Sequence, residues 1–396
     1  MSLVLRLAAR GDGVTEDGRH VALTAPGDSI DAGGAVVAGP HHATPPCRHF
    51  PRCGGCQLQH VDDEAYAEFL AQRVTGALAS QRIAPPRLLP AHLSPPRTRR
   101  KASLRAERIG NRVVLGFNEE ASHRIVDMAE CHVLRPELFA LVAPLRAMLM
   151  PLLRRGRAGE VRMALSDQGV DLLLSGVTAE GLEASEAITG FAGAHGLARL
   201  AIDDGYGAQA WWEPRPVTVT LGDVAVALPP GAFLQATQDG EQALVDAVRE
   251  AVGGAEAVLD LFAGLGTFAL PLAAGARVYA AEGARDAVLA LKGAAGASKR
   301  AIAVEHRDLF RRPLDAKELA RFDAAVLDPP RAGAKEQAPA LAASAIGRIA
   351  YVSCNPATFA RDARTLIDGG YALEWVRPVG QFRWSTHVEL VALFTR

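Results

Sequence analysis

Residues 255–273 read AEAVLDLFAGLGTFALPLA, an apolar run that ends on two closely spaced glycines and passes into a second apolar run. Ala257–Leu261 has the length and content of a buried strand, Gly264 and Gly266 make a tight turn, and a helix opens near Thr267. Glycines there let the backbone approach a ligand, and open α/β sheets bind ligands at the carboxyl end of their first strand. A second strand, Arg277–Ala281, ends on Glu282, 22 residues beyond Asp260, where a carboxylate can accept hydrogen bonds from ribose hydroxyls. The pyrophosphate fingerprint wants glycine at 269, where Ala269 is a tolerated variant. On this segment alone, a nicotinamide cofactor and a purely structural glycine turn both stay open.

The pattern extends to the end of the chain. After Ala227, apolar runs alternate with Ala-rich helical segments, which predicts an open parallel sheet. FDAAVLDPPRAG (322–333) ends a fourth strand on Asp328, and RIAYVSCNP (348–356) ends a fifth on Cys354, both on the edge that carries Gly264 and Glu282. A cysteine at a strand tip is placed like a nucleophile facing the ligand crevice, whereas an inert one more often sits inside the strand. WSTHVELVALF (384–394) adds His387 and Glu389, each readable as a base or as a solvated strand end.

Toward the N-terminus, residues 98–227 alternate apolar segments (KASLRA, RVVLGF, VRMALS, VDLLLS, ARLAID, VTVTLG) with helices near Pro136–Arg154 and Glu183–His195, which predicts an α+β middle domain. A Pro-punctuated linker spans 85–96, a helix spans Asp63–Ser80, and Thr44–His60 is rich in Pro, Cys and Gly. Residues 1–40 read as short strands between Gly and Asp turns, a small β-barrel-like module. The expected division is therefore 1–44, 45–227 and 228–396.

Composition narrows the function. With 43 basic against 44 acidic residues the formal net charge is −1, so any nucleic-acid contact rests on local patches. One candidate is Arg97, Arg99, Arg100, Lys101, Arg105, Arg108 and Arg112, read either as a phosphate-contacting stripe or as a solvated strand face. No long uninterrupted apolar stretch is present, which leads to the expectation of a soluble cytoplasmic protein without membrane contact. Five cysteines are too few for a disulfide framework. Cys47, Cys53 and Cys56 follow C-x5-C-x2-C, with Cys131 distant and His49 and His60 nearby; zinc, an iron–sulfur cluster and no metal at all remain open on spacing alone.

The run of GAFLQ (231–235), DLFAGLG (260–266), Glu282, DPPRAG (328–333), SCNP (353–356) and THVE (386–389), in this order and spacing, resembles the RNA uridine-5 methyltransferase family. The resemblance covers the whole chain, and DPPRAG paired with SCNP is its most specific part. It implies a multi-domain protein with a C-terminal α/β Rossmann-like class I methyltransferase domain. It also implies an S-adenosylmethionine pocket lined by Gln235, Phe262, Gly264, Thr267, Glu282, Asp308 and Asp328, with Cys354 as nucleophile and Glu389 as base. PRCGGCQLQH (51–60), with Cys131 in MAECHVL, is similar to the iron–sulfur branch, which implies a [4Fe-4S] cluster on Cys47, Cys53, Cys56 and Cys131. The GDGV and PGD turns resemble the TRAM-like RNA-binding barrel, shortened here and expected to lack part of a strand pair. The implied partner is RNA, with 23S ribosomal RNA expected and transfer RNA the alternative, bound by a monomer. Ser353-Cys354-Asn355 speaks against a cytidine-5 methyltransferase, and Arg331 after Asp-Pro-Pro against an amino-group methyltransferase. A non-catalytic iron–sulfur RNA-binding protein is the rival from another class.

Overall fold

The computed structural model describes residues 1–84 and 86–396; Pro85, at the head of the expected linker, lies outside the described residues. The chain opens with β1 (Ser2–Leu7), β2 (Gly13–Thr15), β3 (His20–Val21), β4 (Ser29–Ile30) and β5 (Val36–Val37), paired in the order β3-β2-β1-β4-β5. The N-terminal module thus forms a connected five-stranded sheet. The apolar runs at 20–25 and 35–39 each contribute only two paired residues, the first because the chain turns at Ala22–Leu23, where Leu23 has φ of 58°.

Helix α1 (Asp63–Ser80) begins where Asp62 accepts a hydrogen bond from the Ala65 N–H, an N-cap that satisfies an otherwise orphan donor. Its apolar side, Tyr66, Phe69, Leu70, Val74 and Leu78, packs into the core of the C-terminal sheet with Leu327, Tyr351, Phe359 and Phe394. Next come β6 (Arg87–Leu88) and β7 (His92–Leu93), both pairing with the edge strand of that sheet. The Pro-punctuated segment is therefore not a free linker, since its backbone groups find partners along an open sheet edge.

The central sheet holds β8 (Lys101–Ile109), β9 (Arg112–Gly116), β10 (Ala158–Ser166), β11 (Gly169–Ser175), β12 (Arg199–Asp203) and β13 (Ala208–Trp212), in the order β13-β12-β11-β10-β8-β9. Helices α2 (Pro136–Ala140), α3 (Val142–Leu152) and α4 (Gly181–Ala194) complete this unit around a core that includes Leu104, Leu115, Leu145, Leu172 and Ile188. The stretch read as one helix from Pro136 is two, divided at Leu141.

A hairpin of β14 (Thr218–Leu221) and β15 (Val224–Ala227) leads through α5 (Gln238–Val252) to the C-terminal unit. Its strands and helices run β16 (Ala257–Leu261), α6 (Ala269–Leu272), β17 (Arg277–Glu282), α7 (Arg285–Ser298), β18 (Ile302–His306), α8 (Ala316–Leu319), β19 (Ala324–Leu327), α9 (Ala338–Ala342), β20 (Arg348–Ser353), α10 (Pro356–Asp368), β21 (Ala372–Gly380) and β22 (Glu389–Thr395). The order β18-β17-β16-β19-β20-β22-β21 is parallel through β20 and reverses direction at β22. The strand order switches between β16 and β19, so a crevice opens at their carboxyl ends. No helix among the described residues is long and apolar enough to cross a membrane.

Candidate active site

The glycine loop after β16 is built around left-handed backbone. Gly264 and Gly266 have φ of 55° and 96°, and a Cβ on Gly266 would lie 2.5 Å from Leu291 Cδ1, so only glycine fits there. Phe262, with φ of 63°, is held in the same region by its N–H to Ala281 O (3.0 Å), and its ring faces Phe310. Glu282, at the tip of β17, accepts from the Gly264 N–H (2.8 Å) and the Ala284 N–H (2.6 Å), which fixes the carboxylate beside the loop. Thr267 is half-buried in the same turn. Asp308 is also at this edge, but its side chain caps a local turn by accepting from the Phe310 N–H (3.0 Å).

Asp328 follows β19 and donates its N–H to Leu261 O (3.2 Å). Its carboxylate lies 3.5 Å from Gln235 Nε2; Gln235 Oε1 accepts from Gln381 Nε2 (2.7 Å), and Gln381 Oε1 accepts from the Ala236 N–H (2.7 Å). Burial, and then the charge of Glu282, push the Asp328 carboxyl up to about 7.

Sheet register brings the two candidate reacting groups together. In the antiparallel pair β20–β22, Ser353 stands opposite Leu390, so Cys354 and Glu389 come at the next rung. Because β22 runs against its neighbour, its first residue arrives at the edge where the parallel strands end. Cys354 is half-buried, and burial followed by the charges of Glu389 and Asp328 pushes its thiol up to about 11, with Arg331 pulling the other way. Glu389 is 7% exposed; burial and then Asp328 push its carboxyl up to about 8, opposed by Gln381 and Lys101. Asn355 caps α10 by accepting from the Ala357 N–H (3.1 Å), while its amide nitrogen and Thr358 Oγ1 donate to Arg331 O (3.0 and 3.2 Å). The DPPR and SCNP segments are thereby tied into one wall. His387 is exposed just before Glu389.

Sequence reasoning did not single out Gln381, Arg331 or Lys101 for this site. The Lys101 ammonium lies 4.0 Å from the centroid of the exposed Phe233 ring, and burial, followed by Arg99 and Arg100, lowers its pKa to about 8. Strand alternation was a signal for it, since Lys101, Ser103 and Arg105 share the face opposite buried Ala102 and Leu104. Alternation also corrects the proposed basic stripe. Arg100 has the inward parity, is 6% exposed, pairs with Glu241 (2.5 Å) and donates to Gln235 O (3.1 Å), so it is a structural residue and not a phosphate contact. Arg99 is largely enclosed between the Phe117 and Phe382 rings.

Cys47, Cys53, Cys56 and Cys131 line one pocket together with Phe50, Phe117, Met128 and Val133. Burial pushes each thiol above its ordinary value, Cys56 up to about 12, and the charges of Cys47, Cys53 and Cys131 raise the Cys56 thiol further. Among the described residues, no three His, Cys, Asp or Glu side chains form a group that could hold a metal ion, the four cysteines included.

The parallel sheet thus carries a glycine loop, the Glu282 carboxylate, the Cys354 thiol and the buried Glu389 carboxylate at one edge, the place where open α/β sheets bind ligands. Comparison with known proteins narrows the chemistry. Residues 223–396 match the family model described as tRNA (Uracil-5-)-methyltransferase. An RNA methyltransferase of Zymomonas mobilis, described as uncharacterized, is 55% identical over the full length of both chains. The 23S rRNA (uracil(1939)-C(5))-methyltransferase RlmD of Halomonas elongata is 32% identical across 92% of this chain and 79% of that enzyme. In fold, the Pyrococcus abyssi tRNA (uracil-54, C5)-methyltransferase, solved with S-adenosyl-L-homocysteine, superposes with a TM-score of 0.75 at 23% identity, covering all of both chains. The chain belongs to the uracil-5 RNA methyltransferase family and is an RNA methyltransferase.

Proposed function

We propose that the protein methylates carbon 5 of a uridine in 23S ribosomal RNA, with S-adenosylmethionine as donor, through a covalent adduct between Cys354 and carbon 6. The observation that carries this reading is the β20–β22 register, which sets a thiol opposite a buried carboxylate beside the glycine loop. Uracil carbon 5 is a poor nucleophile until a thiolate adds to carbon 6, forming the S–C bond and moving the π pair onto carbon 5 and oxygen 4. S-adenosylmethionine supplies the methyl as an electrophilic carbon on a sulfonium, and Gln235, Phe262, Gly264, Thr267, Glu282, Asp308 and Asp328 would hold it. Glu389 then takes the proton from carbon 5, the C–H pair restores the 5,6 double bond, and the S–C bond breaks to return the Cys354 thiolate. Lys101 faces the same space and supplies positive charge toward Glu389 and the electron-rich ring. The target base must be unpaired or flipped to reach this edge.

We propose that Cys47, Cys53, Cys56 and Cys131 would hold a [4Fe-4S] cluster, a reading supported by their lining one pocket. Four gathered thiols whose pKa values are raised by burial ionise together only against a compensating cation, and Arg99 acts on Cys53, Cys56 and Cys131 without matching four thiolates. The relationship to the Halomonas 23S rRNA enzyme over most of the chain supports the ribosomal substrate. Incubation of purified protein with labelled S-adenosylmethionine and RNA from a deletion strain tests the whole reading. Expected is label as 5-methyluridine in 23S RNA; label in transfer RNA would replace the substrate, and label in another nucleoside would overturn the chemistry.

A further inference from the structure

The segment Gln381–Val388 delivers Glu389 to the site, yet most of its fastenings come from the N-terminal third of the chain. The N–H groups of Gln57 and Leu58, the two residues after Cys56, both donate to the Trp384 carbonyl, at 2.8 and 2.9 Å. The hydroxyl of Tyr66, a residue with no solvent exposure, lies 3.0 Å from the carbonyl oxygens of Phe382 and of Ser385. The Arg383 guanidinium pairs with Asp63, and the Phe382 ring lies against Arg99, which also lies over the ring of Phe117 of the cysteine pocket. Trp384 itself has φ of 58°. A non-glycine residue in that region is disfavoured by roughly 1–2 kcal/mol and stays there only while its surroundings enforce it. Its indole is 8% exposed and shares a core with Cys56, Met128 and Val133.

We infer that Tyr66 and Trp384 are positioning residues for proton removal, fastening the segment that carries Glu389 to the turn that carries Cys56. The inference rests on Glu389 being the base. None of these contacts involves the glycine loop or Cys354. Loosening the fastenings at Phe382–Ser385 therefore lets the carbon 6 adduct form and slows the step that resolves it. A base displaced by about an ångström loses on the order of a hundredfold in rate.

The test compares Tyr66→Phe, Trp384→Gly and Glu389→Gln in the full-length protein, purified without oxygen. Measured are kcat, KM for RNA, the melting temperature, iron content and the fraction of protein in a denaturation-resistant RNA band. Expected for Tyr66→Phe is a kcat lowered roughly tenfold to a hundredfold, an unchanged KM and iron content, and an accumulated band like that of Glu389→Gln; Trp384→Gly gives the same band with a lowered melting temperature, because it also empties a buried site. Asp63→Asn, at the exposed end of the same fastening, should move kcat in the same direction by less while leaving the melting temperature unchanged. If Glu389→Gln traps a band and the two segment variants do not, the positioning role is overturned and the base assignment stands. If Glu389→Gln traps nothing and turns over normally, both fall.

Discussion

Replacing Arg100 by methionine separates a structural arginine from an RNA contact. The guanidinium is 8% exposed, Glu241 opposite it 10%, and the pair joins the start of the central sheet to α5 at 2.5 Å. Removing one partner leaves a buried carboxylate without its cation, and such losses run to about 3–5 kcal/mol. Burial already raises the Glu241 carboxyl, with Arg100 opposing, so the variant raises it further. The sign follows: a carboxyl raised on folding destabilises the protein increasingly as pH rises above the unfolded value, and the loss is relieved in acid, where Glu241 protonates. Denaturant midpoints measured between pH 5 and 8 should therefore fall most at pH 8. Arg100→Met/Glu241→Met should recover most of the loss, because no unpaired charge remains. The salt dependence of RNA binding should match that of the wild type. A variant of full stability whose salt slope has dropped by about one would instead make Arg100 a phosphate contact and overturn the assignment.

Cys354→Ala should abolish methyl transfer while leaving donor binding, measured by calorimetry, and iron content unchanged; turnover near wild type would remove the covalent mechanism. The Glu389 carboxyl is pushed up to about 8, so its basic form is lost as pH falls, and kcat/KM should climb between pH 6 and 8. Lys101→Gln removes a cation that opposes this shift, and the rise should move to higher pH; a profile that stays put would exclude Lys101 from the electrostatics of the base. Protein purified without oxygen should carry roughly four irons and four sulfides, lost with stability in Cys53→Ala; stoichiometric zinc would replace the cluster.

Local chemistry made much of this legible in the sequence. The glycine pair after an apolar strand, the carboxylate closing the next strand, and DPPRAG with SCNP at strand tips all depend on backbone conformation over a few residues. The structure sets them along one edge as that reading requires. Helix α1 was readable to the residue for the same reason, having an Asp cap and a helical apolar face. What required tertiary structure were relations between distant segments. The opposition of Cys354 and Glu389 exists only because β22 enters antiparallel between β20 and β21, a choice no local pattern encodes. Gln381 reaches Gln235 across 146 positions, and Arg100 finds Glu241 across 141, so neither sequence neighbourhood announces a partner. Four cysteines were countable from the start, but their gathering in one pocket, beside the turn that fastens the Glu389 segment, depends on the central-sheet core taking in Cys56 and Trp384 from opposite ends of the chain. Backbone geometry is set by nearest neighbours and is written locally; burial, charge pairing and register are set by whatever the fold brings opposite.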